Sequence, residues 1–296
     1  MKLMLVTPLI FLAISCSSLR DPGELGAELD QLIASAGEDK TIGVALWDLE
    51  TGFRLARSGD EVMHAASTMK VPVMLAIMAA VDGGGLSLEQ PVTVRNQFSS
   101  IVDGSPFVLL AEEDGDSGLY EKIGETVTVG ELLRRMIVRS SNLATNLLIE
   151  LVGPDAVMDL MKRLGADDIR VLRGVEDEKA YEAGLNNVTT AWDMMLVMKA
   201  IAEQQAVSPE ASRSMVEILR GQEFRSKIPA GVPEGVVVAN KTGNITRINH
   251  DAAIVYPPGR RPYVLVVLTR GFEEPAPASE LIAAISRAVW QHLASR

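Results

Sequence analysis

The order of apolar patterns along this 296-residue chain predicts an α/β (α+β) protein: an antiparallel sheet with strands from both chain ends flanked by helices, plus an all-helical lobe inserted between them. Three observations carry that expectation. Strand-like runs stand near the start (Thr41 to Asp48, Phe53 to Arg57) and again near the end (Val236 to Asn240, Asp251 to Tyr256, Tyr263 to Thr269). Between them the apolar residues recur at helical spacing. A chain of this length that is 47% hydrophobic can bury a large core, in one large or two interlocked units. The expected α/β lobe takes in about residues 22–60 and 207–296, and the helical lobe about 61–206, with a cleft between them.

Each element has its own signal. Gly23 to Ala36 carries Leu25, Leu29, Leu32 and Ile33 at helical spacing, and Asp48-Leu49-Glu50-Thr51-Gly52 reads as the turn joining the first two strands. The apolar run Val71 to Ala80 predicts a helix that Gly83, Gly84 and Gly85 terminate. Leu86 to Gly124 has poor periodicity and is rich in Gly, Ser, Asp and Glu, which predicts loops with short pieces of structure, able to wall a cleft. Val127 to Ile137 returns to helical spacing. A helix through Leu147, Leu148, Leu151 and Val152 should end at Gly153-Pro154, and another should run from Asp155 to Leu164. Ile169 to Thr190 is irregular and acidic. Thr189 or Thr190 then caps a helix from Ala191 to Ala206, whose Met194, Met195 and Met198 read as core filler. Helices from Pro209 to Arg220 and Ala278 to Leu293 complete the pattern.

Composition excludes several functions. Lys plus Arg total 28 against 39 Asp plus Glu, a formal charge of −11, and no basic cluster occurs, so a nucleic-acid partner would be repelled. The acidic patches Glu112-Glu113-Asp114 and Glu176-Asp177-Glu178 are largely explained by solubility. Lys2 followed by the apolar segment Leu3 to Ile14 has the form of a secretory signal (residues 1–15) and is too short to span a membrane as a mature helix. Cys16, the only cysteine, follows Ala13-Ile14-Ser15 where a bacterial lipoprotein signal places its lipidated residue, although an ordinary signal cleaved nearby fits too. The expected location is therefore the periplasm or cell envelope, with a lipid anchor through Cys16. No internal disulfide can form, a Cys-type metal site is excluded, and three histidines without H-E-x-x-H spacing argue against a zinc hydrolase. No cofactor is expected, the partner is a small-molecule substrate, and the chain is expected to be a monomer.

The chemistry begins at Ser67-Thr68-Met69-Lys70. On a helix these two side chains lie one turn apart on one face, so an amine can sit beside a hydroxyl. A serine is a weak nucleophile until a base takes its proton, and an ammonium cannot. Burial against Met69, Val73 and Met74, or a second nearby cation, would push Lys70 toward the neutral form.

Two later stretches, Ser140-Ser141-Asn142 and Lys241-Thr242-Gly243, follow in the order and rough spacing of the penicilloyl-serine transferases, and the set most resembles class A β-lactamases. The resemblance spans nearly the whole mature chain. It implies the β-lactamase/transpeptidase-like fold, with Ser67 as the acylated nucleophile and Lys70 in its proton network. Ser140 would relay a proton to the leaving nitrogen, Asn142 would hold the substrate's amide side chain and orient Lys70, and Lys241 with Thr242 would receive the substrate carboxylate. Gly243 would let substrate lie against the strand, and the backbone N–H groups of Ser67 and Asn244 would form the oxyanion hole. Arg247 is either a further substrate contact or a surface residue.

Two departures from the family pattern matter. Ser141 stands where class A enzymes commonly carry Asp, at a position that mostly faces away from substrate. The family's deacylating Glu follows an Arg on an Ω-shaped loop and precedes an Asn by four residues; here Arg173-Gly174-Val175-Glu176 supplies the Arg and the Glu, but residue 180 is Ala. Glu176 is the expected water-activating base, with Asp177 and Glu182 as alternatives. Three readings follow. The first is a serine β-lactamase hydrolysing its substrate through an acyl-enzyme at Ser67. The second is a D-Ala-D-Ala carboxypeptidase or esterase that β-lactams acylate and that deacylates slowly. The third is a non-catalytic cell-wall binding protein.

Overall fold

The computed structural model describes residues 22–294, so the signal segment and Cys16 lie outside the described residues. Helix α1 (Pro22–Ser35) leads into strands β1 (Thr41–Asp48) and β2 (Arg54–Arg57). After β3 (Met63–His64) comes a 3-10 turn, Ala66–Met69, and then α2 (Lys70–Asp82). The segment expected to be loops holds only short strands, β4 (Pro91–Thr93), β5 (Gln97–Ser99) and β6 (Pro106–Val108), with 3-10 turns, before β7 (Thr126–Thr128) and α3 (Val129–Val138). Helix α4 (Asn142–Arg163) is broken at Gly153, whose φ of 75° and ψ of 153° separate the two helices expected on either side of Pro154. A short α5 (Glu178–Glu182) and β8 (Val188–Thr189) occupy the acidic stretch expected to be irregular; then come α6 (Ala191–Ala202), α7 (Pro209–Arg220), β9 (Val237–Ile245), β10 (Ile248–Tyr256), β11 (Tyr263–Arg270) and α8 (Pro275–Ala294).

The main sheet is antiparallel with the order β2-β1-β11-β10-β9, so strands from both chain ends interleave as expected. Its two faces are read directly from alternation. On β11, Val264, Val266 and Leu268 face the core shared with α2, α4 and α6, while Tyr263, Leu265 and Val267 face the core shared with α1 and α8. A slip of one residue would exchange these two sets, which fixes the register Val44 to Val267 and Ala45 to Val266. Both faces are covered, so the strands read as nearly continuous apolar runs.

Several expected boundaries move. The helix from Ala191 stops at Ala202 instead of Ala206, and its Met194, Met195 and Met198 are fully buried core, as read. Thr190, not Thr189, caps it, accepting from Asp193 N. The strand expected to end at Asn240 runs on to Ile245, so Lys241-Thr242-Gly243-Asn244 lies within β9 rather than beyond it. Ser67 sits on the 3-10 turn and Lys70 opens the α-helix, so the pair spans a junction and not one regular helix.

Candidate active site

Three elements converge where the 3-10 turn before α2, the α3–α4 junction and the edge strand β9 meet. β9 is the last strand of its sheet, so its outer backbone groups are free to bond something other than a strand. Lys241 and Gly243 share the face of β9 that carries Ala239 toward the inner core, whereas Thr242 and Asn244 share the opposite face. The inner face is crowded. A Cβ on Gly243 would lie 3.1 Å from Ser67 N and from Ala66 Cβ, so glycine is what permits the nucleophile's backbone to approach the edge strand.

The α3–α4 junction explains how three consecutive polar residues divide their work. Ser141 is the helix cap: it is buried and its Oγ accepts from Ala144 N at 3.2 Å. Asp114 assists it, with Oδ2 accepting from Leu143 N at 2.8 Å and from Tyr120 Oη at 3.0 Å. Thus the acidic patch Glu112-Glu113-Asp114 is not all solvated surface; its last residue holds the start of α4. With capping assigned to Ser141, Ser140 and Asn142 are free to face the lysines. Ser140 adopts φ 61°, a left-handed conformation costly for a residue with a Cβ, and Ala66 (φ 45°) and Glu176 (φ 62°) share it.

Lys70 and Lys241 are both fully buried and both reach Ser140. Lys70 Nζ donates to Ser140 O at 2.6 Å, Asn142 Oδ1 at 2.8 Å and Ser140 Oγ at 3.3 Å. Lys241 Nζ donates to the same Oγ at 3.0 Å and to Thr242 O at 2.8 Å. Burial pushes Lys70 down to about 7, with Asp114 and Glu176 pulling the other way. Burial and the neighbouring Lys70 hold Lys241 well below the usual lysine range. The Lys70 amine, three residues after Ser67, is therefore one that can accept a proton near neutral pH.

Asn142 continues the network outward, its Nδ2 donating to Glu176 Oε1 at 3.1 Å. Of the three loop carboxylates, this one alone joins the network. Asp177 is buried and accepts from Ser100 Oγ (2.8 Å), Ile101 N (2.9 Å) and Ala180 N (3.2 Å), which makes it the cap of α5 and a tie to the β5–β6 hairpin. Glu182 is exposed on α5. Desolvation of the Glu176 carboxyl, with Glu113 adding repulsion, raises its pKa above the ordinary range against the pull of Lys70 and Arg173. Arg247 (φ 60°) lies in the β9–β10 turn and pairs with Glu273 at 3.1 Å.

Asn146 holds the loop that carries Glu176, a role with no mark in the sequence. Its Oδ1 accepts from Val175 N at 2.7 Å and its Nδ2 donates to Val175 O at 3.0 Å, a two-point clamp on the residue before Glu176. A Cβ on Gly174 would fall 2.5 Å from that Oδ1. The loop's neck is closed by another amide. Asn187 Oδ1 accepts from Leu172 N (2.8 Å) and Arg173 N (3.2 Å), and its Nδ2 donates to Arg173 O (2.9 Å). The buried Arg173 guanidinium donates to Leu185 O, Gly174 O and Asn186 Oδ1.

A family model described as the beta-lactamase enzyme family matches residues 24–293. The chain belongs to this family. It is similar to a β-lactamase of Rhodobacter capsulatus, 28% identical over 226 residues, which cover 75% of this chain and 73% of that protein. Among solved structures it is similar to a β-lactamase from Sphaerobacter thermophilus, with a TM-score of 0.77 and 28% identity over 92% of this chain and 97% of the other. It is equally similar to an acyl-enzyme complex of a PBP-A mutant with penicillin G, with a TM-score of 0.77 and 27% identity over 92% and 97%. The fold is that of the class A β-lactamases, and the chain is a class A β-lactamase-like serine hydrolase.

Proposed function

We propose that this hydrolase opens the β-lactam amide through an acyl-enzyme at Ser67. The observation that carries the reading is Ser140 Oγ standing between two buried lysines, while Asn142 links one of them to Glu176. Neutral Lys70 keeps its two shorter hydrogen bonds, to Ser140 O and Asn142 Oδ1, and has a lone pair for the Ser67 proton. As Ser67 Oγ adds to the lactam carbonyl, the oxygen's growing charge is met by the N–H groups of Ser67 and Asn244. The C–N bond breaks, and the proton passes from Lys70 through Ser140 to the departing nitrogen, leaving an ester on Ser67. Lys241 and Thr242 hold the substrate carboxylate, and Gly243 gives room for it along β9.

Hydrolysis of that ester falls to Glu176. Its carboxylate takes a proton from water as the water oxygen adds to the ester carbonyl, and Ser67 Oγ leaves and recovers a proton. Residues 1–16 support export, with a lipid anchor through Cys16; loss of membrane fractionation in Cys16→Ser tests the anchor. The test of the activity is intact-mass timing after a penicillin pulse, with Ser67→Ala as control. Rapid return of the free mass is expected; absence of any adduct and of any hydrolysis would sink the proposal.

One observation favours a slow second half, the behaviour of a D-Ala-D-Ala peptidase that β-lactams inhibit. Ala180 is fully buried and apolar, so it offers no amide to share a water with Glu176. A long-lived adduct together with release of D-Ala from a peptide would select this reading.

A further inference from the structure

The chain just before the nucleophile carries two histidines that the reaction above does not use. Ala66 is buried and adopts φ 45°, a left-handed conformation that a residue with a Cβ keeps only where its surroundings hold it. What holds it is the half-buried His64, whose ring Nδ1 accepts from Ala66 N at 3.0 Å, two residues on. This is the hydrogen bond of an Asx turn, made here by an imidazole in place of an Asp or Asn side chain. An imidazole accepts at Nδ1 only when that nitrogen carries no proton, so His64 is the neutral Nε2–H tautomer. Burial, with Arg173 nearby, pushes His64 down to about 4, and the ring is therefore neutral wherever Lys70 can act as a base.

His64 is itself pinned on two sides. Its carbonyl oxygen lies 2.9 Å from Nε2 of His250, a fully buried residue of β10 and the register partner of Gly243. His250 Nδ1 is 3.1 Å from Thr269 N of β11 and 2.8 Å from Asn249 O. The Nε2–H tautomer of His250 bonds both Thr269 N and His64 O, whereas the Nδ1–H tautomer bonds only Asn249 O. Two neutral imidazoles in series thus run from the interior strands of the main sheet to Ala66. On the other side, Ala65 N donates to Asn187 O at 2.8 Å, His64 pairs with Val188 of β8, and the His64 ring stands edge-on to Tyr181 of α5 at 6.2 Å. The titratable groups facing His64 are Arg173 at the loop neck, Tyr181 on α5 and His250 on β10. The backbone direction at Ala66 decides where the next N–H points. That nitrogen, Ser67 N, sits against β9 so closely that a Cβ on Gly243 would lie 3.1 Å from it.

We infer that His64 is a positioning residue for acylation: by accepting from Ala66 N it holds the turn that aims Ser67 N–H at the oxygen of the reacting carbonyl. The inference rests on Ser67 being the acylated nucleophile and adds a residue that prepares it. Two variants separate the hydrogen bond from the bulk of the ring. In His64→Asn, Oδ1 stands the same number of bonds from Cα as Nδ1 and can only accept; His64→Leu fills space and accepts nothing. The rate constant for mass addition by penicillin is expected to fall about tenfold in His64→Leu, a fraction of the ~10²-fold or more that outright loss of an oxyanion donor costs. The dissociation constant of the initial complex should change little. His64→Asn should stay within about threefold of the wild type, because the same backbone N–H keeps an acceptor. A His64→Leu protein that is acylated as fast as His64→Asn overturns the inference. Hydrogen exchange at the Ala66 amide, followed by NMR, reads the same bond without substrate: protection should survive in His64→Asn and be lost in His64→Leu, and protection equal in both overturns the inference. Should His64→Leu fail to fold, the wild type carries the test. Its Ala66 amide resonance should titrate with a midpoint at about 4, as His64 gains its second proton, and that of His64→Asn should not. Resonances that titrate alike, or not at all, overturn the inference. If penicillin never adds to Ser67, the β-lactam reading fails, and the exchange and titration measurements still decide whether His64 holds the turn.

Discussion

The two halves of the active site are built from different materials. Ser67, Lys70, Ser140 and Lys241 stand on the start of α2, the α3–α4 junction and the edge of the main sheet, and both lysines are fully buried. Glu176 stands on a loop, exposed, in a left-handed conformation, held in place by the side-chain amides of Asn146 and Asn187. Buried lysines are expensive unless rigid neighbours hold their hydrogen bonds, so the acylating half must be preorganised. The loop half depends on a few side-chain hydrogen bonds from Asn146, Asn187 and Asp177 for its position. Acylation should therefore tolerate changes that deacylation does not.

The largest break in that symmetry is expected from Glu176→Gln. It keeps the size of the side chain and removes the base, so deacylation should fall by ~10²-fold or more, the range of general-base contributions, while the rate of mass addition by penicillin changes little. Stopped-flow acylation and intact-mass decay measure the two steps separately. A parallel fall in both would show that Glu176 also serves the first step and that the halves are not independent.

The pH dependence of acylation comes next. With Lys70 pushed down to about 7 by burial, its neutral form dominates above that pH and is lost as the pH falls. For a base with a pKa near 7, the neutral fraction falls ~5-fold between pH 7 and pH 6, and acylation should fall with it. A flat acylation profile from pH 6 to 8 would remove Lys70 as the proton acceptor.

The difference between the halves also governs what the sequence revealed. β1 (Thr41–Asp48) and α7 (Pro209–Arg220) have the boundaries expected, because an apolar run buried on both faces and a capped first turn leave local marks. The motif residues of the acylating half were legible because their chemistry recurs at known spacing. Nothing local marked Asn146 or Asn187. An Asn inside an apolar helix looks like any tolerated polar residue, and its clamp on Val175 exists only once residues 29 positions apart meet. The continuation of β9 through Lys241-Thr242-Gly243-Asn244 was hidden for a related reason: a Lys, a Gly and an Asn depress strand propensity, and pairing with β10 overrides it.

Asn146→Ala tests the loop clamp with a smaller effect. It removes both hydrogen bonds to Val175 and leaves the backbone groups of the loop partly unsatisfied, a loss of ~1–3 kcal/mol in stability. Deacylation should slow several-fold while acylation holds. The sign of a clamp, as opposed to a general packing role, is that the loss appears in the second step and in protease sensitivity near Glu176. Equal slowing of both steps would place Asn146 with the rigid half.

Asp177→Asn should have the smallest effect on turnover, and for that reason it tests the assignment of the base most sharply. Asp177 is adjacent to Glu176 in the sequence and carries the same charge, but its two oxygens are occupied by Ser100 Oγ, Ile101 N and Ala180 N, and it is buried away from Asn142. An asparagine keeps one acceptor oxygen, so it can retain part of this set, at a cost of ~1.5–3 kcal/mol in stability, the scale of hydrogen bonds to a charged group. The hydrolysis of the acyl-enzyme should stay within about threefold of the wild type, because general-base catalysis depends on the group in reach of the water and not on the loop's total charge. Thermal melting and single-turnover decay separate the two outcomes. If the melting temperature is unchanged and deacylation falls as far as in Glu176→Gln, the base is Asp177, and the link from Lys70 through Asn142 to Glu176 is structural.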